Sequence, residues 1–284
     1  MFSVIGEEVL RQCDPQDGLT DLIISDPLGC NSNPLTLLDT LLSIYNDWVD
    51  VNQTYVFSHV LYRSEETCAS GNIGDGSASN PANQLWYTQN FLGHTNFTAA
   101  DLSHETVEYA DATNPGNSSA NNFNLSPFHN HGGKLLHYHG LADGTVAPGA
   151  SVYFHDHFTR TLTPMGIEVG DFYRFFLVPG LEHCTGTPST MNAPWYFAGP
   201  NQAATLSNSA HSTPGYSDLR HDILLALMTW VENGTAPDSI IATKFNDDLT
   251  VAKQRLICAF PNQAKYDGTG NVDAPESWSC ESLY

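Results

Sequence analysis

Asp143 in "HGLADGTVAPG" and His183 in "PGLEHCTG" are a carboxylate and an imidazole, each set in a turn-rich stretch. Such a pair does acid–base chemistry when the carboxylate fixes the imidazole tautomer and steadies the imidazolium. The other ring nitrogen is then free to take a nucleophile's proton. Taken singly, each residue also has a plainer reading, as a turn aspartate before glycine and as a lone loop histidine. A second group is "CDPQDGLTD", which crowds Asp14, Asp17 and Asp21 into one loop. Carboxylates are hard oxygen ligands of the kind Ca²⁺ takes, with main-chain carbonyls completing a shell of roughly 6 to 8. The spacing departs from an EF-hand, so on spacing alone a solvated acidic turn is the better reading. A third group is the set of pairs His129 and His131, His137 and His139, and His155 and His157. In a strand, two-residue spacing puts both rings on one face, as a zinc or iron hydrolase site needs. The pairs fall in predicted loop, strand and helix respectively, however, and residues two apart on a helix do not face together. A scatter of core and surface histidines accounts for them better.

The elements that must position Asp143 and His183 follow from the texture around them. "GKLLHYHG" and "DFYRFFLVPG" are compact apolar runs, each short enough to be a buried strand. Between them "GASVYFHDHFTRTLTPMG" is long enough for a helix. After them "DLRHDILLALMTWVENG" places Leu219, Ile223, Ala226, Leu227, Trp230 and Val231 on one predicted face, with Asn233-Gly234 as a stop and Pro237 beyond. Strand, loop, helix, strand, loop, helix is the order of an α/β architecture with a parallel sheet. In such a sheet, sites assemble on loops leaving the C-terminal ends of strands. Asp143 follows the first strand and His183 the second, the chain order in which an α/β-hydrolase scaffold delivers the last two members of a Ser-Asp-His triad. The serine belongs earlier, in a G-x-S-x-G elbow, and no serine ahead of Asp143 has those glycines.

Ten basic against 31 acidic side chains give the 284 residues a net charge of -21, a surface that repels phosphate backbones and anionic lipid. No nucleic-acid or membrane partner is expected, and no run approaches the roughly 18 apolar residues of a spanning helix. Sequons at Asn52, Asn96, Asn117, Asn124 and Asn233, together with six cysteines, point to a secreted, extracellular chain. The N-terminus "MFSVIGEEVLRQ" lacks a basic n-region and an apolar h-region, so it does not read as a signal peptide. The expectation that reconciles these is that the first part of the natural protein is absent from this sequence. Residues from about Gly29 to Asn130 are irregular and rich in Asn, Ser, Thr and Gly, with a helical run at "NPLTLLDTLLSIYNDW". Texture thus divides the chain near residue 131, with an irregular insertion carrying a few short helices ahead of it and the regular α/β part after it.

"KLLHYHGLADGTVAPGASVYF", "FYRFFLVPGLEHCTGTPSTMNAPWYFAG" and "ALMTWVENGTAPDSIIATKF" resemble the C-terminal half of the tannase and feruloyl esterase family, and "LRQCDPQDGLTDLIISDPLGC" resembles that family's lid-borne calcium loop. The resemblance spans nearly the whole chain and implies a lid domain over residues 1–130 and the C-terminal part of an α/β-hydrolase domain over residues 131–284. It implies a serine carboxylic ester hydrolase acting on gallate- or ferulate-like esters, a plant polyphenol or cell-wall ester, with Asp143 and His183 catalytic. It implies a structural Ca²⁺ held by Asp14, Asp17 and Asp21 and the carbonyls of Leu19 and Ile23, with Leu22 standing where relatives usually carry Gly. It also implies that the nucleophile lies in a Gly-Cys-Ser-x-Gly-Gly elbow upstream of Met1, whose cysteine bridges to Cys184. A Cys13–Cys30 bridge is expected unless Cys13 pairs upstream, with Cys258–Cys280 a separate bridge and the partner of Cys68 open. Trp86, Tyr87 and Phe91 are candidates for stacking on an aromatic substrate, or equally for lid core. The alternative is a non-catalytic truncated product or pseudoenzyme that keeps lid and scaffold.

Overall fold

Apolar residues four apart open the chain: Ile5, Val9 and Cys13 line one side of helix α1 (Phe2–Cys13) and pack with Ile24. This helix is part of a computed structural model that describes residues 2–32, 45–50, 52–68, 88–98, 101–206 and 212–282. The helical run expected over "NPLTLLDTLLSIYNDW" falls largely outside these residues, as do Trp86 and Tyr87. After α1 come a 3-10 turn at Asp14–Asp17, the short antiparallel pair β1 (Trp48–Val49) and β2 (Tyr55–Phe57), and the single turn α2 (Glu65–Cys68). Helix α3 (His104–Thr113) has no buried residue, and the five-residue α4 (Ser126–Asn130) leads to the regular part.

There the two apolar runs become strands β3 (Leu135–Gly140) and β4 (Tyr173–Val178), paired in parallel from Leu135 opposite Tyr173 to Gly140 opposite Val178. Helix α5 (Gly149–Leu162) connects them, as a parallel pair requires of its crossover. Strand β4 is apolar on both faces because both are covered. Tyr173 and Phe175 pack with Phe158 and Leu162 of α5, while Phe176 and Val178 pack into a second core with Trp195, Tyr196, Phe197 and Ile240.

Helix α6 (Ile223–Asn233) starts later than its apolar pattern suggested. Asp222 caps it, its carboxylate accepting from the Leu224 and Leu225 N–H groups, and Gly234 closes it at φ 74°. Ile223, Ala226 and Trp230 are buried as expected. Leu219, ahead of the cap, is 40% exposed and Val231 61% exposed, so the buried stripe is narrower than the predicted one. The chain finishes with the antiparallel pairs β5 (Ser239–Phe245) with β6 (Val251–Cys258) and β7 (Asn262–Tyr266) with β8 (Trp278–Ser282). A Phe176–Ala259 bridge ties β4 to the segment leaving β6. Disulfides join Cys13 to Cys30 and Cys258 to Cys280.

Candidate active site

The two loops that carry Asp143 and His183 are pressed together by a glycine. A Cβ on Gly140, the last residue of β3, would lie 2.1 Å from the Leu181 carbonyl oxygen and 2.4 Å from that of Glu182, so no other residue fits without moving the histidine loop. The Leu141 N–H donates to the Val178 carbonyl and the Ala142 N–H to the Leu181 carbonyl, extending the strand pairing into the loops. From the other side Thr67 Oγ1 donates to the Ala142 carbonyl and accepts from the Gly144 N–H. The histidine loop is held by Gln202, a fully buried side chain. Its Nε2 donates to the carbonyls of Cys184 and Trp195, and its Oε1 accepts from the Phe197 and Gly199 N–H groups. Cys184 itself sits at φ 65°, a left-handed conformation that costs a non-glycine residue about 1 kcal/mol or more.

Within this frame His183 Nδ1 lies 2.8 Å from Asp143 Oδ2. Asp143 is only 1% exposed, whereas the His183 side chain is 53% exposed. Because Nδ1 faces a carboxylate it carries the ring proton, and Nε2 is left with its lone pair outward and no partner among the described residues. Burial alone would push the Asp143 carboxyl up. Hydrogen bonds from His139, the Val146 N–H and His183 outweigh it and hold the carboxyl below the usual aspartate range. Asp143 Oδ1 accepts from the N–H groups of Thr145 and Val146, so the carboxylate meets four donors in all. Its charge is thereby stabilised in a buried site, and it stands where it can orient a proton-accepting imidazole.

The histidine pairs do not assemble a metal centre, and among the described residues no three His, Cys, Asp or Glu side chains form a metal-binding group. His155 lies against Phe158, Phe175 and Phe260, and His157 against Tyr153 and Phe123. His137 and His139 do share a strand face, and both reach Ser151. What sequence reasoning missed is that His139 turns to Asp143 instead of to a metal, and that Gln202 supports the loop. The two-residue histidine spacing in "HYH" was the available signal for the first. Nothing local marks Gln202.

In the acidic loop Asp14, Asp17 and Asp21 cap backbone N–H groups of the same turn. Asp14 Oδ1 accepts from Asp21, Asp17 from Leu19 and Ser25, and Asp21 Oδ1 from Ile23. Asp21 Oδ2 is 2.6 Å from Arg255, a buried guanidinium stacked on Trp278. Burial, with the charge of Asp21 adding to it, raises the carboxyls of both Asp14 and Asp17 above the usual range. A cation would relieve that. The charge and burial of the donors suit calcium, although the three side chains are not gathered into one cluster. Leu22 adopts φ 68°, the left-handed turn that a glycine would take without strain.

Residues 67–281 match the family described as tannase and feruloyl esterase. The chain belongs to this family. It is 28% identical over 300 residues to the probable feruloyl esterase B-1 of Aspergillus oryzae, covering 98% of this chain and 52% of that protein. With feruloyl esterase B of Aspergillus niger the identity is 27% over 296 residues, covering 99% and 54%. The crystal structure of feruloyl esterase B from Aspergillus oryzae superposes with a TM-score of 0.82 at 26% identity, covering 99% of this chain and 56% of that one. Tannin acyl hydrolase from Aspergillus niger shares the fold, with a TM-score of 0.67 at 18% identity. This member of the tannase and feruloyl esterase family therefore has a mixed α/β fold like that of feruloyl esterase B. It spans about half the length of the curated relatives it matches.

Proposed function

We propose that this family member is a carboxylic ester hydrolase for esters of hydroxylated aromatic acids, working by a Ser-Asp-His mechanism in which Asp143 and His183 are two of the three catalytic residues. The observation that carries this reading is the 2.8 Å contact between a buried carboxylate and an exposed imidazole whose Nε2 has no hydrogen-bond partner among the described residues. In the reaction His183 Nε2 takes the serine hydroxyl proton as oxygen attacks the ester carbonyl, then delivers it to the leaving alcohol. Asp143 accepts the Nδ1–H throughout and offsets the imidazolium charge without being protonated. No glycine-flanked serine elbow occurs in residues 1–284, so the nucleophile is assigned to a segment upstream of Met1. Cys184, a free thiol beside His183, would bridge to that elbow.

The same reading makes residues 1–130 a lid and residues 131–284 the C-terminal part of an α/β-hydrolase domain. Calcium would be held by Asp14, Asp17 and Asp21 with the carbonyls of Leu19 and Ile23. There it would neutralise buried carboxylates and tie the loop to the Cys13–Cys30 bridge, a structural role away from the acid–base pair. Secretion is supported by two disulfides and by exposed asparagines at all the sequons. Among the described residues no helix is long and apolar enough to cross a membrane.

The test is release of ferulate from methyl ferulate and gallate from methyl gallate, by the 284-residue chain and by the same chain extended upstream through a Gly-Cys-Ser-x-Gly-Gly elbow. The extended chain is expected to turn over at least one ester, and His183→Ala to reduce its kcat by roughly 10⁴-fold or more. The short chain should stay near background. Equal turnover from both would place the nucleophile within these residues, and no turnover from either would overturn the esterase reading.

A further inference from the structure

Behind Asp143 runs a chain of hydrogen bonds, half-buried at Ser151 and His137 and buried at its ends, that the acid–base pair does not require. His139 Nε2 is 3.2 Å from Asp143 Oδ2 and 3.0 Å from the Val146 carbonyl oxygen. Both are acceptors, so Nε2 carries the ring proton and Nδ1 is a lone pair. That nitrogen lies 2.6 Å from Ser151 Oγ, which must donate to it. Ser151 Oγ in turn lies 3.3 Å from His137 Nε2, which donates to the serine oxygen. His137 Nδ1 is then an acceptor, and the Tyr173 hydroxyl, 2.5 Å away, donates to it. Each group thus donates one step closer to the carboxylate: Tyr173, His137, Ser151, His139, Asp143.

The direction is fixed by the two ends. A proton added to His139 Nδ1 would turn Ser151 round to accept, turn His137 to its other tautomer, and leave the Tyr173 O–H with no acceptor among the described residues. Tyr173 is nearly fully buried, and an orphaned buried hydroxyl costs more than an average hydrogen bond gains. The surroundings oppose charge as well. His137 is stacked on Phe175, and burial together with the nearby His139 and His155 pushes it down to about 4. The titratable groups that face this chain are His155 from α5, Tyr173 from β4, and Asp143, His183 and Cys184 from the loops.

We propose that His139 is a positioning residue for Asp143, kept as an uncharged Nε2–H donor by this one-way chain whose polarity Tyr173 sets. The inference rests on the Asp143–His183 reading. Two imidazoles share one carboxylate oxygen, and the reaction requires that the new proton end on His183. Holding His139 neutral makes that choice, while its N–H keeps the carboxylate aimed and ionised.

The experiment is side-chain ¹⁵N–¹H NMR titration of the histidines in the 284-residue chain, so that the readout does not depend on turnover. His139 is expected as a single Nε2–H tautomer. Ser151→Ala and Tyr173→Phe should each shift the His139 Nδ1 resonance downfield as donation into it is lost or weakened, and with it shift the Nδ1–H resonance of His183, which shares Asp143. Asp143→Asn is the control for the underlying pair and should lower the midpoint of His183 on its own. If Asp143→Asn moves His183 while both other variants leave His139 and His183 unchanged, the chain is only packing and the proposal falls. If Asp143→Asn also leaves His183 unchanged, the acid–base pair itself is overturned. An Nδ1–H tautomer for His139 in the unmodified chain would overturn the assigned direction.

Discussion

His183 is exposed and Asp143 is not, and the asymmetry suits their proposed tasks: one must meet substrate, the other must hold a charge away from water. A buried carboxylate survives only when donors surround it, and here they come from two backbone N–H groups and two imidazoles. Gln202 performs the corresponding service for the histidine loop, satisfying four backbone groups with one amide. Replacing it by Leu would strand those groups in a dry interior. Gln202→Leu is expected to destabilise by about 3 kcal/mol, read as a lower midpoint in urea, and to broaden the His183 resonances. Gln202→Glu keeps the acceptor oxygen but sets a second oxygen against the Cys184 and Trp195 carbonyls, so it should not rescue the loss.

At the scale of elements, the acidic loop after α1 is the place where the present charges are least comfortable. Asp14 and Asp17 have carboxyls raised by burial, so the folded chain binds protons more readily than the unfolded one. Stability from these groups is therefore highest in acid and falls as pH rises from the ordinary aspartate value, about 3.9, through their raised folded values. A cation bound only to the folded loop would reverse the loss at neutral pH. Adding Ca²⁺ to chelator-treated protein at pH 7 is expected to raise Tm, and EDTA to lower it again. Asp17→Asn should raise the Tm of the metal-free chain and abolish the calcium-dependent shift. An unchanged Tm together with no bound metal by elemental analysis would count against the site.

For the whole molecule, an excess of acidic groups giving -21 and exposed asparagines at every sequon suit a soluble, glycosylated chain. Asn52, Asn96, Asn117, Asn124 and Asn233 all lie at the surface, so a glycan at any of them needs no repacking. Produced through a secretory pathway, the chain is expected to migrate above its 31.0 kDa mass. Enzymatic removal of N-glycans should return it to that mass, and each Asn→Gln change at an occupied site should remove one step. Migration at the unmodified mass before treatment would argue against that reading.

The strand–helix–strand unit was legible because burial on both faces of β4 demands a mostly apolar run, and "YRFFLV" supplies one, broken only by Arg174 near its start. Asp143 and His183 were legible as the residues just past two such runs. Helix α6 was legible at its end, where Asn233-Gly234 stops it, but less so at its start. A pattern of apolar residues does not tell Asp222, a cap, from Leu219, which stays outside. The other partners of Asp143 were not legible. "HYH" announces two imidazoles on one face, and only the packing of α5 across β3 puts Ser151 between them, with Tyr173 reached from β4. Hydrogen bonds between residues 12 to 36 positions apart depend on how a helix lies on a sheet. Local sequence carries the types of the side chains and the periodicity of their elements, while the crossing of those elements decides which donor meets which acceptor.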